Sequence, residues 1–148
     1  MKFIFNLYRA SSKSKVVPKQ DKLILNSNDR MHFHQKAKIV EQLKLRAQNA
    51  VVKSAVGIYD HKWRLVQPIF TPDNICGVTL TVYTPTKRRS DPDNLQPTLK
   101  AIMDGFTESR LWTDDNHEVV KFTKYQFGGL SGHNGYRLEV DIDEAKEL

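Results

Sequence analysis

Val78–Phe106 reads VTLTVYTPTKRRSDPDNLQPTLKAIMDGF, and its hydropathy changes period partway along. Val78, Leu80 and Val82 alternate with Thr79, Thr81 and Tyr83, the period of two expected of a strand with one buried face. Further on, Leu95, Leu99, Ile102, Met103 and Phe106 fall in one sector of a helical wheel at about 100° per residue. Lys100, Asp104 and, with the turn continued backwards, Asp93 fall on the opposite side. Pro97 is acceptable only in a first helical turn, where amide hydrogens have no intrahelical acceptor, so the N-cap is expected at Asp93 or Asn94. The stretch therefore predicts a strand, a basic run (Lys87, Arg88, Arg89), an acidic pair (Asp91, Asp93) and a helix that starts at that pair.

Outward from this segment, the rest of the chain supplies the partners such a strand and helix need. Residues 35–53 hold Ile39, Leu43, Ala47, Ala50 and Val51 at helical spacing, with Lys36, Lys38, Lys44 and Arg46 largely outside that stripe. KLIL, at residues 22–25, reads as a short strand stopped by the turn-like NSNDR. YRLEVDI alternates again, with Tyr136, Leu138, Val140 and Ile142 on one face. EVVKFTKYQF is a weaker strand, and GGLSGHNG is expected to join it to YRLEVDI as a hairpin. Residues 57–74, punctuated by two prolines, resist assignment. This order predicts a small α/β or α+β domain in which two main helices pack on a mixed sheet.

Residues 1–21 are expected to be a basic, mobile N-terminal arm, with the domain proper spanning residues 22–148. The apolar run Phe3–Tyr8 is broken by Asn6 and lacks a small-residue cleavage pattern, which argues against a signal peptide. No stretch approaches the roughly 18 apolar residues of a membrane span. The lone Cys76 forms no internal disulfide, so a cytoplasmic protein is expected. With 148 residues the chain suffices for one buried core, and its formal charge of +6 favours a polyanionic partner.

Against that positive balance, the pairs Asp91/Asp93 and Asp114/Asp115 concentrate negative charge at two junctions between elements. Carboxylates brought together at neutral pH repel unless a hard dication neutralises them, and Mg²⁺ or Mn²⁺ prefers oxygen ligands. A metal held beside Lys and Arg suits phosphodiester hydrolysis, with Lys87, Arg88 and Arg89 bringing the polyanion to the edge of the site. Lys100, about two helical turns beyond Asp93 on the same side, is placed to steady a scissile phosphate or its leaving oxygen. Each element also has a plainer reading. Asp93 serves as a helix cap, Asp104 as an exposed i+4 partner of Lys100, and the basic run as a solvated face. His32 and His34 alternate as metal ligands do, but without a Cys or Glu at zinc spacing they are assigned to a surface loop.

In KLILNSNDR, VTLTVYTPTKRRSDPDNL, KAIMDGF and LWTDDNHEVV, taken in that order, the chain resembles the RusA family of Holliday junction resolvases, over about residues 22–142. The resemblance implies that Asp91, Asp93 and Asp115 are the carboxylates of a magnesium site, with Mn²⁺ as a substitute, and that Lys100 is the essential lysine. Some members place that lysine three residues after the Asn, where this chain has Pro97, and an insertion of Pro97-Thr98-Leu99 restores the match. It also implies that Asn28 and Arg30, in the loop after the first strand, contact nucleic acid together with Lys87, Arg88 and Arg89. A homodimer acting on a DNA four-way junction, encoded by a bacterium or phage, is implied as well, because paired symmetric nicks need two active sites. The alternatives are a non-catalytic junction-binding protein and a metal nuclease that prefers flaps or forks.

Overall fold

A computed structural model of the protein describes residues 1–145. Among them, five strands form one mixed sheet: β1 (Lys2–Arg9), β2 (Lys22–Ile24), β3 (Cys76–Thr84), β4 (Val120–Leu130) and β5 (Tyr136–Glu144), in the spatial order β2-β1-β5-β3-β4. Helices α1 (Phe33–Ser54) and α2 (Gln96–Glu108) pack against each other and cover one face, giving the expected α+β architecture. The core lies between them. Val78, Leu80 and Val82 of β3 and Leu138, Val140 and Ile142 of β5 meet Leu99, Ile102 and Phe106 of α2 and Leu43, Ala47 and Val51 of α1 in a single buried cluster. These are the residues whose alternation and helical spacing mark them as core.

Two features depart from the sequence reading. Lys2–Arg9 is not part of a mobile arm. It is β1, inserted between β2 and β5, and its register with β5 runs from Lys2↔Asp141 to Leu7↔Tyr136. Phe3, Phe5 and Leu7 point into the core and Lys2, Ile4 and Asn6 point out, so the short apolar run is an amphipathic strand. The folded unit thus includes residues placed outside it at the boundary after residue 21. The following segment is anchored too: Ala10 N–H donates to Ile24 O at 2.9 Å, and Val17 is buried.

The second departure is the expected hairpin. β4 and β5 are not neighbours, because β3 lies between them, parallel to β4 and antiparallel to β5. Burial explains the order. β3 and β5 carry the most apolar alternation and take interior positions, whereas β4, exposed along most of its length, stands at the edge. The connection passes over the end of β3, held by Ser131 N–H to Thr84 O at 2.8 Å. Gly129 and Gly132, at φ 118° and 84°, supply the left-handed backbone that this crossing requires.

Candidate active site

The acidic turn sits at the entrance to α2. Asp91 is extended (φ −100°, ψ 119°), Pro92–Leu95 form a 3₁₀ turn, and α2 follows at Gln96 with Pro97 in its first turn. The helical path begins at the acidic pair, but the expected cap at Asp93 or Asn94 is not formed: both lie inside the 3₁₀ turn, which Asp91 precedes, and Leu95 precedes α2, neither flanking side chain bonding a helix amide. Leu95 is buried as the apolar peg of this turn, while Asp91 and Asp93 face solvent. Thr98, fully buried, ties α2 to the sheet by accepting from Leu25 N–H at 2.8 Å and donating to Leu25 O at 2.7 Å.

Asp115 is delivered by the segment that leaves α2 and folds back before β4. Ile69 and Phe70 N–H donate to Leu111 O at 3.0 and 3.1 Å, and Thr113 N–H donates to Phe70 O at 3.1 Å, which fixes its path. Asp114 accepts from the Asp115 amide at 2.8 Å and so acts as a turn residue. Its neighbour Asp115 points at α2, where Lys100 Nζ meets its carboxylate at 3.0 Å and that of Asp104 at 3.1 Å. The i+4 partnership of Lys100 and Asp104 is therefore formed, and the contact with Asp115 joins the second acidic pair to the helix.

Hydrogen bonding to Asp115 first, and to Asp104 after burial's opposing effect, raises the Lys100 pKa above its ordinary 10.5. The side chain remains an ammonium at neutral pH and is suited to stabilising charge rather than accepting a proton. Its side chain is 55% exposed, so the two pairs position it more than they stabilise the fold.

Tyr125 of β4 is a site residue that sequence reading passes over. Its phenol pKa is raised by burial first and then by the charge of Asp93, so the field of the acidic turn reaches β4. Its signal in the sequence is only that of one of three aromatics in KFTKYQF, with Phe122 and Phe127, and which residue it faces depends on β4 lying parallel to β3.

The basic residues flank this turn. Arg88 and Arg89 line a groove of about 580 Å³ together with Arg9, Asn94 and Asn134, and Lys87 stands exposed on the same loop. The Asn28–Arg30 loop docks directly on the acidic turn through Ser27, whose N–H and Oγ reach Asn94 O at 2.7 and 3.1 Å. Asn28 and Arg30 are exposed there. His32 and His34 are exposed but do not share the expected surface loop: His34 is in the first turn of α1, and His32 caps that helix, its Nδ1 accepting from His34 N–H at 3.3 Å.

Among the described residues, no three His, Cys, Asp or Glu side chains are gathered to hold a metal ion. Asp115 is neutralised by Lys100 instead. Asp91, Asp93 and Asp115 supply the oxygen donors a hard dication requires, but they are not gathered around one point, so binding an ion would need Asp115 to leave Lys100 and the two junctions to close together. No family model and no curated protein matches this chain.

Proposed function

We propose that the protein is an Mg²⁺-dependent, structure-selective DNA endonuclease that nicks four-way junctions. The contact between Lys100 and Asp115, residues fifteen apart in sequence, carries this reading. It joins the lysine of α2 to the second acid of the later pair, while the turn before α2 carries Asp91 and Asp93 and borders the groove lined by Arg88 and Arg89. A bound Mg²⁺, held by Asp91, Asp93 and Asp115, would activate water and neutralise charge on the phosphate. Lys100 contributes a fixed ammonium for the scissile phosphate or leaving oxygen. The basic loop and the Asn28–Arg30 turn hold the backbone of the DNA arms.

Paired nicks across a junction call for two copies of the site, so the working unit is proposed to be a homodimer in a bacterial or phage-infected cytoplasm. No helix among the described residues is long and apolar enough to cross a membrane. The deciding experiment is cleavage of synthetic four-way junction, flap, fork and linear duplexes with and without Mg²⁺. Symmetric Mg²⁺-dependent nicks in the junction support the proposal. Tight junction binding with no cleavage in Mg²⁺ or Mn²⁺ would make the protein a binder, and preferential cutting of flaps or forks would change its substrate.

A further inference from the structure

At the C-terminal end of α2, away from the acidic turn, the chain between α1 and β3 forms a small hairpin. Tyr59 bridges Leu65, Asp60 N–H donates to Arg64 O at 2.8 Å, and Trp63 N–H donates to Asp60 O at 3.1 Å. The Asp60 carboxylate clamps the turn by accepting from the amides of Lys62 and Arg64 at 2.8 and 3.0 Å. In a three-residue loop of this kind the last position is left-handed and favours glycine. Here it is Trp63, at φ 60°, with 64% of the residue exposed.

Trp63 borders a cavity of about 860 Å³, and a second left-handed non-glycine residue, Arg110 at φ 62°, lines it from the end of α2. Arg110 stands where the helix closes, with Leu111 N–H reaching back to Phe106 O at 3.0 Å, another position usually taken by glycine. Backbone strain is thus accepted twice around one cavity, once to present an indole and once to present a guanidinium. Ser109 Oγ, also in its lining, is buried with no partner. The local acid is already engaged, since Glu108 is held by Lys44 at 3.2 Å and by Gln48 at 2.6 Å. Arg64 is likewise committed to Asp60. Lys62 and Arg110 therefore set the sign of the cavity.

A flat exposed indole flanked by cations, on a chain of charge +6, fits a planar base joined to a phosphate. We infer that this cavity binds an unpaired nucleotide of single-stranded DNA, with its base stacked on Trp63 and its phosphate at Arg110 and Lys62. The inference does not rest on the nuclease reading, because it uses none of the carboxylates around Lys100.

The two tryptophans make the test direct. Trp112 is buried and donates from Nε1 to Thr107 Oγ1 at 2.7 Å, so quenching by a solvent probe reports Trp63. The full chain is titrated in EDTA with a ten-residue thymidine oligonucleotide, and in parallel with a blunt duplex of equal length. The single strand is expected to quench fluorescence and shield the indole from iodide, whereas the duplex leaves it accessible. Trp63→Gly, which suits the left-handed position, should keep or raise Tm yet lower single-strand affinity about tenfold by anisotropy. Arg110→Gln should weaken quenching of the retained indole several-fold, and it decides the matter if the glycine variant does not fold.

Unchanged emission on saturation with single strand, equal response to duplex, or wild-type affinity in both variants would overturn the inference. So would shielding of Trp63 only on self-association through the neighbouring exposed Ile58 and Val66. Quenching without junction nicking would count against the nuclease reading alone, and nicking without quenching against this one alone.

Discussion

The two ends of α2 are built on opposite principles. Its N-terminal end has an ordinary backbone, with both prolines where a helix start tolerates them, and its distinction lies in charge: Asp91 and Asp93 in the turn before it, and Lys100 paired with Asp104 and Asp115 along it. At its C-terminal end most charges are spent in pairs and the distinction lies in conformation, with Trp63 and Arg110 both left-handed. Chemistry written in residue type can be read from a sequence, and chemistry written in backbone angles cannot. Gly105, in the last turn of α2, lets the helix lie close against α1: an added Cβ would meet Lys44 O at 2.6 Å and the Ala47 Cβ at 2.7 Å.

Substitutions at the acidic end sharpen the contrast most. Asp91→Asn, Asp93→Asn and Asp115→Asn should each lower single-turnover nicking by on the order of a thousandfold, the several kcal/mol a lost metal ligand represents. Junction affinity and single-strand quenching of Trp63 should persist. A variant that nicks near the normal rate is not a ligand. Lys100→Ala should cost about a hundredfold in the same assay with little change in binding, and Lys100→Arg should recover only part of it. If the alanine variant binds poorly but cleaves normally at saturation, Lys100 serves binding rather than chemistry.

Gly105→Ala tests whether the two ends share a rigid strut. The new methyl meets a backbone carbonyl that cannot step aside, so urea denaturation should show a loss of about 1–3 kcal/mol. Both ends should weaken together, through stability. An unchanged midpoint would mean that α1 and α2 separate without cost.

Smaller effects are expected from the basic loop. Neutralising Lys87, Arg88 and Arg89 should flatten the salt dependence of junction binding by about 0.9 in log–log slope for each DNA phosphate that no longer meets a cation. Trp63 quenching should not respond. An unaltered slope assigns these side chains to solvent.

The smallest effect is a control remote from both ends. Glu139 on β5 accepts from Lys2 at 2.8 Å and from Arg137 at 3.2 Å, and these partners, Lys2 first, hold its pKa below the ordinary 4.5. A carboxyl depressed on folding stabilises the fold above the unfolded value, and that contribution is lost as pH falls through the folded one. The stability difference between wild type and Glu139→Gln should therefore shrink on acidification below about 4.5. A difference that stays constant from neutral pH to about pH 3 would remove the carboxylate's role in joining β1 to β5.

What the sequence determined by itself is most of what repeats along the chain. The alternation of β3 and β5 and the helical stripes of α1 and α2 identified these elements and their apolar faces, because amphipathic periodicity is imposed residue by residue by packing on the core side, although β3, as an interior strand, is largely buried on both faces. Asp91, Asp93, Lys100 and Asp115 stood out for a similar reason: their residue types are costly to crowd together without a purpose. Tertiary structure decided what each periodic element lies beside. Lys2–Arg9 has as clear an alternation as β3, but only its ladder with β5 distinguishes a core strand from a loose leader. Strand adjacency likewise put β3 between two segments that are consecutive in the chain, and the fold-back before β4 set Asp115 against Lys100. Pairing between distant segments is selected by total burial and backbone hydrogen bonding over the whole sheet, and the left-handed angles at Trp63 and Arg110 follow from the turns that packing closes.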